Sequence, residues 1–250
     1  MRKELIATLS ILGSLAASGA AAAQTCATPP SCETLGFTKS ETDCDGLEAL
    51  KCPFDQSKLY CPQGGGNMSA AAPGAILYSD GTISDSVIAS KTPVGIVAYV
   101  NGSTGFAVAL TESNQTWGGY GYNVSCLGDM GSGAASADMN GRVNTQCLVS
   151  DSQTHPAANY CNTFSAVSSG KGSSGWYLPA AGELKAMSYS YGAINLGLQK
   201  LSKTQISSSY YWSSSEGYSG YAWHVRPSDG YLTNYYSKTY SIPVRCVIAL

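Results

Sequence analysis

The chain has 250 residues and a formal net charge of −2, and charged side chains make up 12% of it. That share is about half of the ~25% usual for globular domains, so Ser, Thr, Asn, Gly and Tyr must complete the surface, as in many extracellular binding proteins. The weak acidic balance excludes the basic surface on which nucleic acids or anionic membranes bind, so we expect no nucleic-acid partner.

The amino terminus is typical of a secretory signal peptide over residues 1–23. Arg2 and Lys3 precede an apolar run over residues 5–17, and four alanines follow at 20–23, where we expect cleavage after Ala23. The apolar run is too short to span a bilayer. We therefore expect a secreted, periplasmic or cell-surface protein that does not span the membrane.

Nine cysteines follow the predicted signal peptide, and in an exported chain they indicate disulfides. They form an early group and a late group. The early five are Cys26, Cys32, Cys44, Cys52 and Cys61, and the late four are Cys126, Cys147, Cys161 and Cys246. The odd total leaves one free thiol or one intermolecular disulfide, and we assign it to the early group because the late four can pair among themselves.

The spacing divides the mature chain into two parts. Residues 24–63 form a small Cys-rich module, too short to bury much core and therefore dependent on crosslinks. A zinc module is disfavoured, because the segment has no Cys-x-x-Cys pair and no histidine. Residues 64–74 are a Gly/Ala-rich linker by composition. Residues 75–250 are long enough for one sizeable core.

A β-hairpin is predicted early in the second domain. Residues 94–100 and 106–110 read as strands rich in β-branched side chains, and Asn101-Gly102 is a turn signal between them. Residues 113–147 are rich in Gly, Ser and Asn, and we expect an irregular segment there.

Two helices are predicted, over about residues 156–164 and 180–191, with a short third helix near 194–201. Pro156 suits the first turn of the first helix. Glu183 follows Ala180 by three residues, as in a capping box, but Ala180 lacks the hydroxyl half. We therefore expect Glu183 to act through its charge at the start of the second helix.

Residues 210–246 have the composition of a binding surface. Eight tyrosines lie there: Tyr210, Tyr211, Tyr218, Tyr221, Tyr231, Tyr235, Tyr236 and Tyr240. Tyrosine gives contact area at low entropic cost, and Ser, Gly and Asn add adaptable hydrogen bonds. The alternative is a tyrosine-rich β-structure whose rings are core or simply exposed. Trp212 and Trp223 are expected in the core.

Six short motifs follow one another in the second domain: Gly175-Trp176-Tyr177-Leu178-Pro179, Glu183-Leu184, Tyr211-Trp212-Ser213-Ser214-Ser215-Glu216, Ala222-Trp223, Asp229-Gly230 and Arg245-Cys246-Val247. As a set they resemble the bacterial domain family typified by the Lcl C-terminal domain, over about residues 74–250. The resemblance implies an α+β, C-type-lectin-like fold with two helices, short antiparallel sheets and long loops. Some similar proteins are targets of diversity-generating retroelements, which alter a Tyr/Asn/Ser-rich carboxy-terminal surface to change the ligand.

The resemblance also carries expectations about how the domain closes. A carboxy-terminal strand over residues 244–248 is expected to pair with the early hairpin, so that the ends of the domain meet. The resemblance also favours a Cys161–Cys246 disulfide, with Cys126–Cys147 as the second pair.

We therefore predict an exported, adhesin-like binding protein that recognises a protein or glycan on another cell or host surface, without catalysis, cofactor or metal. The predicted ligand-facing residues are Tyr218, Tyr221, His224, Arg226, Ser228, Tyr231, Asn234, Tyr235, Tyr236 and Tyr240. One alternative is a structural cell-envelope assembly protein linked through the odd cysteine. Another is an enzyme on the formylglycine-generating scaffold, which would use a reactive thiol among the late cysteines.

Other catalytic patterns are weaker. Residues 170–175 match Gly-x-Gly-x-x-Gly but lack the strand before and the helix after that a dinucleotide site needs. His155 and His224 have no metal-ligand spacing. No sequence feature places Glu183 beside Glu216, as a glycosidase pair would require. The Glu-Pro-Asn, Gln-Pro-Asp and Trp-Asn-Asp triplets of calcium-dependent lectins are absent from the sequence, so the resemblance does not imply calcium binding.

Overall fold

The computed structural model describes residues 72–101 and 104–250 and, nearer the amino terminus, the backbone of three short strands. These are β1 (Phe37–Lys39), β2 (Leu50–Cys52) and β3 (Asp55–Pro62), which form an antiparallel sheet with β3 in the centre. The predicted signal peptide, most of the Cys-rich module and most of the linker lie outside the described residues.

Residues 72–250 form a mixed α+β structure with short antiparallel sheets, as predicted, but the described residues contain five helices instead of the two, with a short third, that were predicted. The strands are β4 (Ile76–Tyr78), β5 (Ile83–Ser84), β6 (Pro93–Asn101), β7 (Thr104–Ala109), β8 (Ser113–Thr116), β9 (Trp176–Tyr177), β10 (Tyr211–Tyr218), β11 (Tyr221–Arg226), β12 (Tyr231–Thr233), β13 (Ser241–Val244) and β14 (Val247–Ala249). The helices are α1 (Ser132–Ala137), α2 (Gly141–Ser150), α3 (Pro156–Thr163), α4 (Ala181–Ser188) and α5 (Tyr191–Lys200).

The largest sheet has six strands in the order β5-β4-β6-β7-β14-β9, and all neighbours are antiparallel. The predicted hairpin is confirmed, because β6 pairs with β7 in a register that places Ile96 opposite Val108. Strand β14 pairs with β7 on one side and β9 on the other, so the carboxy-terminal strand does meet the early hairpin.

The six-stranded sheet separates two hydrophobic cores. Successive side chains of a strand point to opposite faces. Ile96 and Val108 therefore pack on one face with Leu184 of α4 and Leu198 of α5. On the other face is a second core that includes Leu77, Ala107, Leu148, Trp176, Trp212 and Ile248. Full burial of each such aliphatic side chain stabilises the fold by about 1.5–3 kcal/mol.

The carboxy-terminal strand is divided, which corrects the single strand expected over residues 244–248. Strand β13 pairs with β8, and β14 continues in the six-stranded sheet. Between them, Arg245 donates hydrogen bonds to the carbonyl oxygens of Leu110 (3.2 Å) and Thr204 (3.0 Å). The neighbouring Cys246 is held by its disulfide to Cys161. These contacts hold Arg245 and Cys246 in place, where the chain passes from the β13–β8 sheet to the six-stranded sheet.

Strand β8, helix α1 and most of helix α2 lie in residues 113–147, so the expectation of an irregular segment was wrong. The buried positions of α2 are Gly141, Asn144, Thr145 and Leu148, which have the i, i+3, i+4, i+7 spacing of a helix. Only Leu148 among them is a large apolar residue. The sequence therefore lacks the repeating apolar positions by which a helix is predicted. The other three helices correspond to the predicted ones.

Both predicted disulfides of the late group are present. Cys161 of α3 bonds to Cys246 with a Cα–Cα distance of 5.3 Å, and Cys126 bonds to Cys147 of α2 with a distance of 6.0 Å. The first joins the helical side of the second core to the end of the main sheet. In the described part of the chain, every helix is too short or too polar to cross a bilayer.

Candidate ligand-binding face

The candidate site is built on a three-stranded sheet in which β11 lies between β10 and β12. Alternation along β11 buries Trp223 and Val225 in the first core. His224 and Arg226, whose side chains point to the opposite face of the strand, contact tyrosines of residues 231–240 instead. Seven residues form one group of contacting side chains, here called the tyrosine cluster: Tyr210, His224, Arg226, Tyr231, Tyr235, Tyr236 and Tyr240.

His224 is the innermost member of the cluster and is fully buried. Its ring stacks on Tyr236, with centroids 4.6 Å apart and an angle of 8° between the planes. The rings of Tyr210, Tyr235 and Trp212 meet it edge-on at 5.1, 5.1 and 5.3 Å. Three of these four rings belong to the cluster, so His224 forms its floor.

Burial keeps His224 neutral. Nδ1 lies 3.1 Å from the carbonyl oxygen of Ala222, and a carbonyl only accepts, so Nδ1 carries the proton. Nε2 is then an acceptor, buried without a hydrogen-bond partner in the described residues. Desolvation lowers the pKa of His224 to about 4. The floor of the cluster is therefore uncharged at neutral pH.

Arg226 is fixed by ring faces and by a carboxylate. Its guanidinium lies 5.5 Å from the ring centroid of Tyr210 and 5.4 Å from that of Tyr231. Nε donates to the carboxylate of Asp229 at 3.0 Å, and Nη2 donates to the same carboxylate. This pairing lowers the pKa of Asp229.

The solvent side of the cluster consists of phenol rings. Tyr231, Tyr235 and Tyr240 are 53, 52 and 53% exposed, whereas Tyr210 and Tyr236 are partly buried. The Tyr235 ring meets those of Tyr210 and Tyr236 with centroids 5.9 and 4.5 Å away, and these neighbouring hydroxyl groups raise the pKa of Tyr235. The face therefore presents phenol hydroxyl groups and ring edges, and the rings are positioned by their contacts with one another.

A buried ion pair supports the segment that carries the tyrosines. Lys238 is fully buried, pairs with Glu216 of β10, and donates a 2.8 Å hydrogen bond to the carbonyl oxygen of Tyr122. Its ammonium lies 4.6 Å from the ring centroid of Trp117. Glu216 also accepts the backbone N–H of Val124 at 2.9 Å. Two loops are thus joined to β10 through charges that never reach solvent.

The remaining predicted ligand residues lie outside the cluster. Tyr218 and Tyr221 form a separate pair, 4.8 Å apart, at the turn between β10 and β11. Ser228 lies in the turn between β11 and β12, and Asn234 packs beside Gly217. Sequence reasoning placed Tyr210 in the tyrosine-rich stretch but did not select it. It contacts five cluster members, although it lies one residue before β10 and no sequence signal distinguished it from the other tyrosines.

Glu183 and Glu216 have separate partners. Glu183 accepts the backbone N–H of Ala180 at 2.8 Å and the hydroxyl of Tyr177 at 3.1 Å, and burial raises its pKa to about 7. Glu183 therefore acts at the start of α4 by accepting hydrogen bonds, rather than through a full negative charge as expected. The hydroxyl that Ala180 lacks comes from Ser215 of β10, whose Oγ accepts the N–H of Ala181 at 2.9 Å.

His155 packs in the interior of the domain. It is buried, its Nε2 lies 2.9 Å from Oδ2 of Asp151, and its ring meets Trp117 edge-on at 5.0 Å. The contact with His155 lowers the pKa of Asp151. Across the described ranges, no three His, Cys, Asp or Glu side chains are grouped to hold a metal ion.

Comparison with solved structures shows a similarity in fold. No known protein family and no curated protein matches the chain. A solved structure, that of a fimbrial protein from Bacteroides ovatus ATCC 8483, is similar with a TM-score of 0.56 and 18% identity over 70% of this chain. The match covers 48% of the fimbrial protein, so this chain spans about half of its length. The chain thus shares its fold with part of a bacterial fimbrial protein.

Proposed function

We propose that this chain is an exported bacterial surface protein of adhesin type, which binds a protein or glycan on another cell or host surface through the tyrosine cluster. The observation that carries the proposal is the cluster itself, in which three half-exposed tyrosines belong to one group of contacting rings built over a neutral, fully buried His224. The fold shared with a fimbrial protein supports a surface role. Two disulfides fit an oxidising compartment outside the cytoplasm.

Binding proceeds by contact and burial, without chemistry. Ordering a free side chain at an interface costs about 0.5–1.5 kcal/mol. In the cluster, the contacts of the Tyr235 ring with Tyr210, His224 and Tyr236 order the side chains before a ligand arrives. The buried Lys238 holds the backbone of the same segment. More of the interaction energy therefore remains as affinity.

The test is a screen of the purified chain against surface proteins and glycans, beside a variant with Tyr231→Ala, Tyr235→Ala and Tyr236→Ala. We expect a ligand whose binding falls by about 100-fold or more in this variant, since a buried interface tyrosine contributes about 1–2 kcal/mol or more. The matched control is Tyr120→Ala with Tyr122→Ala, which removes exposed tyrosines from the 117–124 loop. Equal loss in both variants, or retention in the triple variant with an unchanged thermal unfolding midpoint, would contradict the proposal.

A finer assignment follows from the motifs. We propose that residues 75–250 are a C-type-lectin-like domain similar to the Lcl C-terminal family. The pairing of β14 with β7 and the Cys161–Cys246 bond support it. We further propose that residues 210–240 are a diversified segment of the retroelement type. Gene sequences from related isolates test this, because diversification predicts an excess of differences at adenine positions in these codons. An even distribution of differences would end that assignment.

A structural protein of the cell envelope is the second candidate, and the fimbrial similarity is the observation that favours it. In that role the odd cysteine, assigned by sequence to the early group, would join two chains. A non-reducing gel distinguishes the roles. A dimer that dissociates on reduction supports assembly, whereas a monomer under both conditions supports the adhesin alone.

We propose that the chain is not an enzyme. The formylglycine-generating alternative needs a reactive thiol, whereas all four late cysteines are in disulfides. Titration of the native chain with a thiol reagent tests this, and peptide mapping locates the labelled residue. Rapid labelling of Cys126, Cys147, Cys161 or Cys246 would restore the enzymatic alternative.

A further inference from the structure

The charged side chains of residues 210–240 neutralise one another. This segment contains two carboxylates and two cations besides the neutral His224. Arg226 is paired with Asp229 at the surface, and Lys238 is paired with Glu216 in the interior. The segment that forms the face thus has no net charge and no unpaired ion.

The pairing also uses the groups that would recognise a charged ligand. Nε and Nη2 of Arg226 already donate to Asp229, so a ligand carboxylate or sulfate must compete with an internal carboxylate. The ring faces of Tyr210 and Tyr231 already hold the Arg226 guanidinium, so a ligand cation would meet a like charge. Charge complementarity therefore favours an uncharged ligand.

The remaining groups suit a ligand with hydroxyls and flat apolar surfaces. A phenol hydroxyl both donates and accepts, and the Tyr235 ring lies against those of Tyr210 and Tyr236. Exposed ring area supplies the apolar contact, and among residues 210–240 the exposed large apolar side chains are all tyrosines. A saccharide ring combines a C–H face with a rim of hydroxyls, which matches this pattern.

The size of the face favours a saccharide over a protein. A tyrosine buries about 150–250 Å² when fully covered, so three half-exposed rings offer about 300 Å². A stable protein–protein interface needs about 800 Å² from each partner. On the basis of the proposed function, we propose that the cluster binds a neutral oligosaccharide, and that the Arg226–Asp229 pair selects against acidic glycans.

Calorimetric titration of the purified chain with neutral glucose, mannose and galactose oligomers, and with sulfated or uronic-acid oligomers, tests this inference. We expect binding to a neutral oligomer that changes by less than about twofold between 50 and 300 mM NaCl, because salt screens only charge interactions. Tyr235→Ala should weaken it by about tenfold or more, and Tyr120→Ala should not change it.

Asp229→Asn gives the sharper test. It leaves the Arg226 guanidinium unpaired at the surface, so the variant should gain binding to acidic oligomers at 50 mM NaCl that is lost at 300 mM. Preference of the unaltered chain for acidic oligomers, or no gain in the variant, would overturn the inference. A protein ligand lost in the triple tyrosine variant, with no oligosaccharide bound, would overturn the inference while supporting the proposed function. If the triple variant bound every ligand normally, the proposed function itself would fail.

Discussion

At the scale of single residues, the buried pair formed by Lys238 and Glu216 supports the segment that carries the candidate face. Both side chains are fully buried, and a lysine is almost never fully buried unless it is paired. The sequence around Lys238 is Tyr236-Ser237-Lys238-Thr239-Tyr240, which is typical of an exposed loop. No pattern of spacing shows that a carboxylate 22 residues earlier lies in contact with it, so only the tertiary structure could identify the pair.

Lys238→Met should destabilise the chain by about 3–5 kcal/mol, because Glu216 is then a buried, unpaired carboxylate. The double variant Glu216→Gln with Lys238→Met should recover part of this loss, since Gln still accepts the N–H of Val124. Urea unfolding gives both values. The exposed Lys203→Met is the control and should change stability by less than about 0.5 kcal/mol. A double variant less stable than Lys238→Met would contradict this account.

His224 should make stability fall as the medium becomes acidic. Its pKa is about 4 in the folded chain against an ordinary value of 6.5, so between these values the unfolded chain binds more protons. The contribution of neutral His224 to the free energy of unfolding is complete above pH 6.5 and is lost as the pH falls to about 4. At about 1.4 kcal/mol for each tenfold change in protonation, the loss is roughly 3 kcal/mol.

Glu183 has the opposite effect. Its pKa is raised from 4.5 to about 7, so its contribution is complete below pH 4.5 and is lost as the pH rises to about 7. Urea unfolding of His224→Phe and Glu183→Gln from pH 4 to 7 separates the two. Stability should rise less with pH in the first variant than in the unaltered chain, and more in the second. Parallel curves would show that neither group titrates as described.

At the scale of elements, the start of α4 depends on strand β10. Ser215 Oγ accepts the N–H of Ala181 and donates to Oδ2 of Asp138 at 2.6 Å. Asp138 in turn accepts a hydrogen bond from the side chain of Asn144 on α2. One hydroxyl of the sheet thus connects two helices, and the cap that Ala180 lacks is supplied from another element.

Ser215→Ala should therefore destabilise the chain by about 1–3 kcal/mol, the cost of a lost helix cap and an unsatisfied buried group. Ser214→Ala is the matched control. Ser214 is the preceding residue of β10, equally buried, and its Oγ has no hydrogen-bond partner in the described residues. Its replacement should be near neutral. Thermal unfolding compares them, and equal losses would show that burial rather than capping determines the effect.

Elements with strong local signals were predicted correctly, and elements defined by tertiary contacts were not. Asn101-Gly102 and the flanking β-branched residues identified the hairpin, and Pro156 identified the start of α3. Helix α2 was missed because its buried face is mostly polar. Asn144 donates a hydrogen bond to Asp138, and the Thr145 hydroxyl accepts the N–H of Leu178, so these positions carry no hydrophobic pattern. The tyrosine composition predicted a binding face, which stays a prediction. The division of its tyrosines into the cluster and the Tyr218–Tyr221 pair depends on strand register.

At the scale of the whole molecule, two disulfides close loops of different length. The Cys161–Cys246 bond spans 85 positions and the Cys126–Cys147 bond spans 21. Loop-closure entropy assigns about 4.5 kcal/mol to the longer loop and about 3.3 kcal/mol to the shorter one.

Replacing Cys161 and Cys246 by Ala should therefore lower the free energy of unfolding by more than replacing Cys126 and Cys147. Burial of Cys161 and Cys246 in the second core increases the difference, because their removal also leaves a cavity. Urea unfolding of the two double variants measures it. A larger loss in the Cys126/Cys147 variant would contradict this order.

The longer loop has a mechanical consequence. Every residue of the tyrosine cluster lies between Cys161 and Cys246 in the chain. If the proposed partner pulls on Tyr235 against the amino-terminal side of the domain, the tension passes from Cys161 across the bond to Cys246 and back along 11 residues, instead of along the 74 residues that separate Cys161 from Tyr235. At about 3.4 Å per extended residue, the difference of 63 residues keeps about 210 Å of chain from stretching while the bond is intact. Reduction would release that length, so the segment between Cys161 and Tyr235 could extend fully only after the disulfide had been broken.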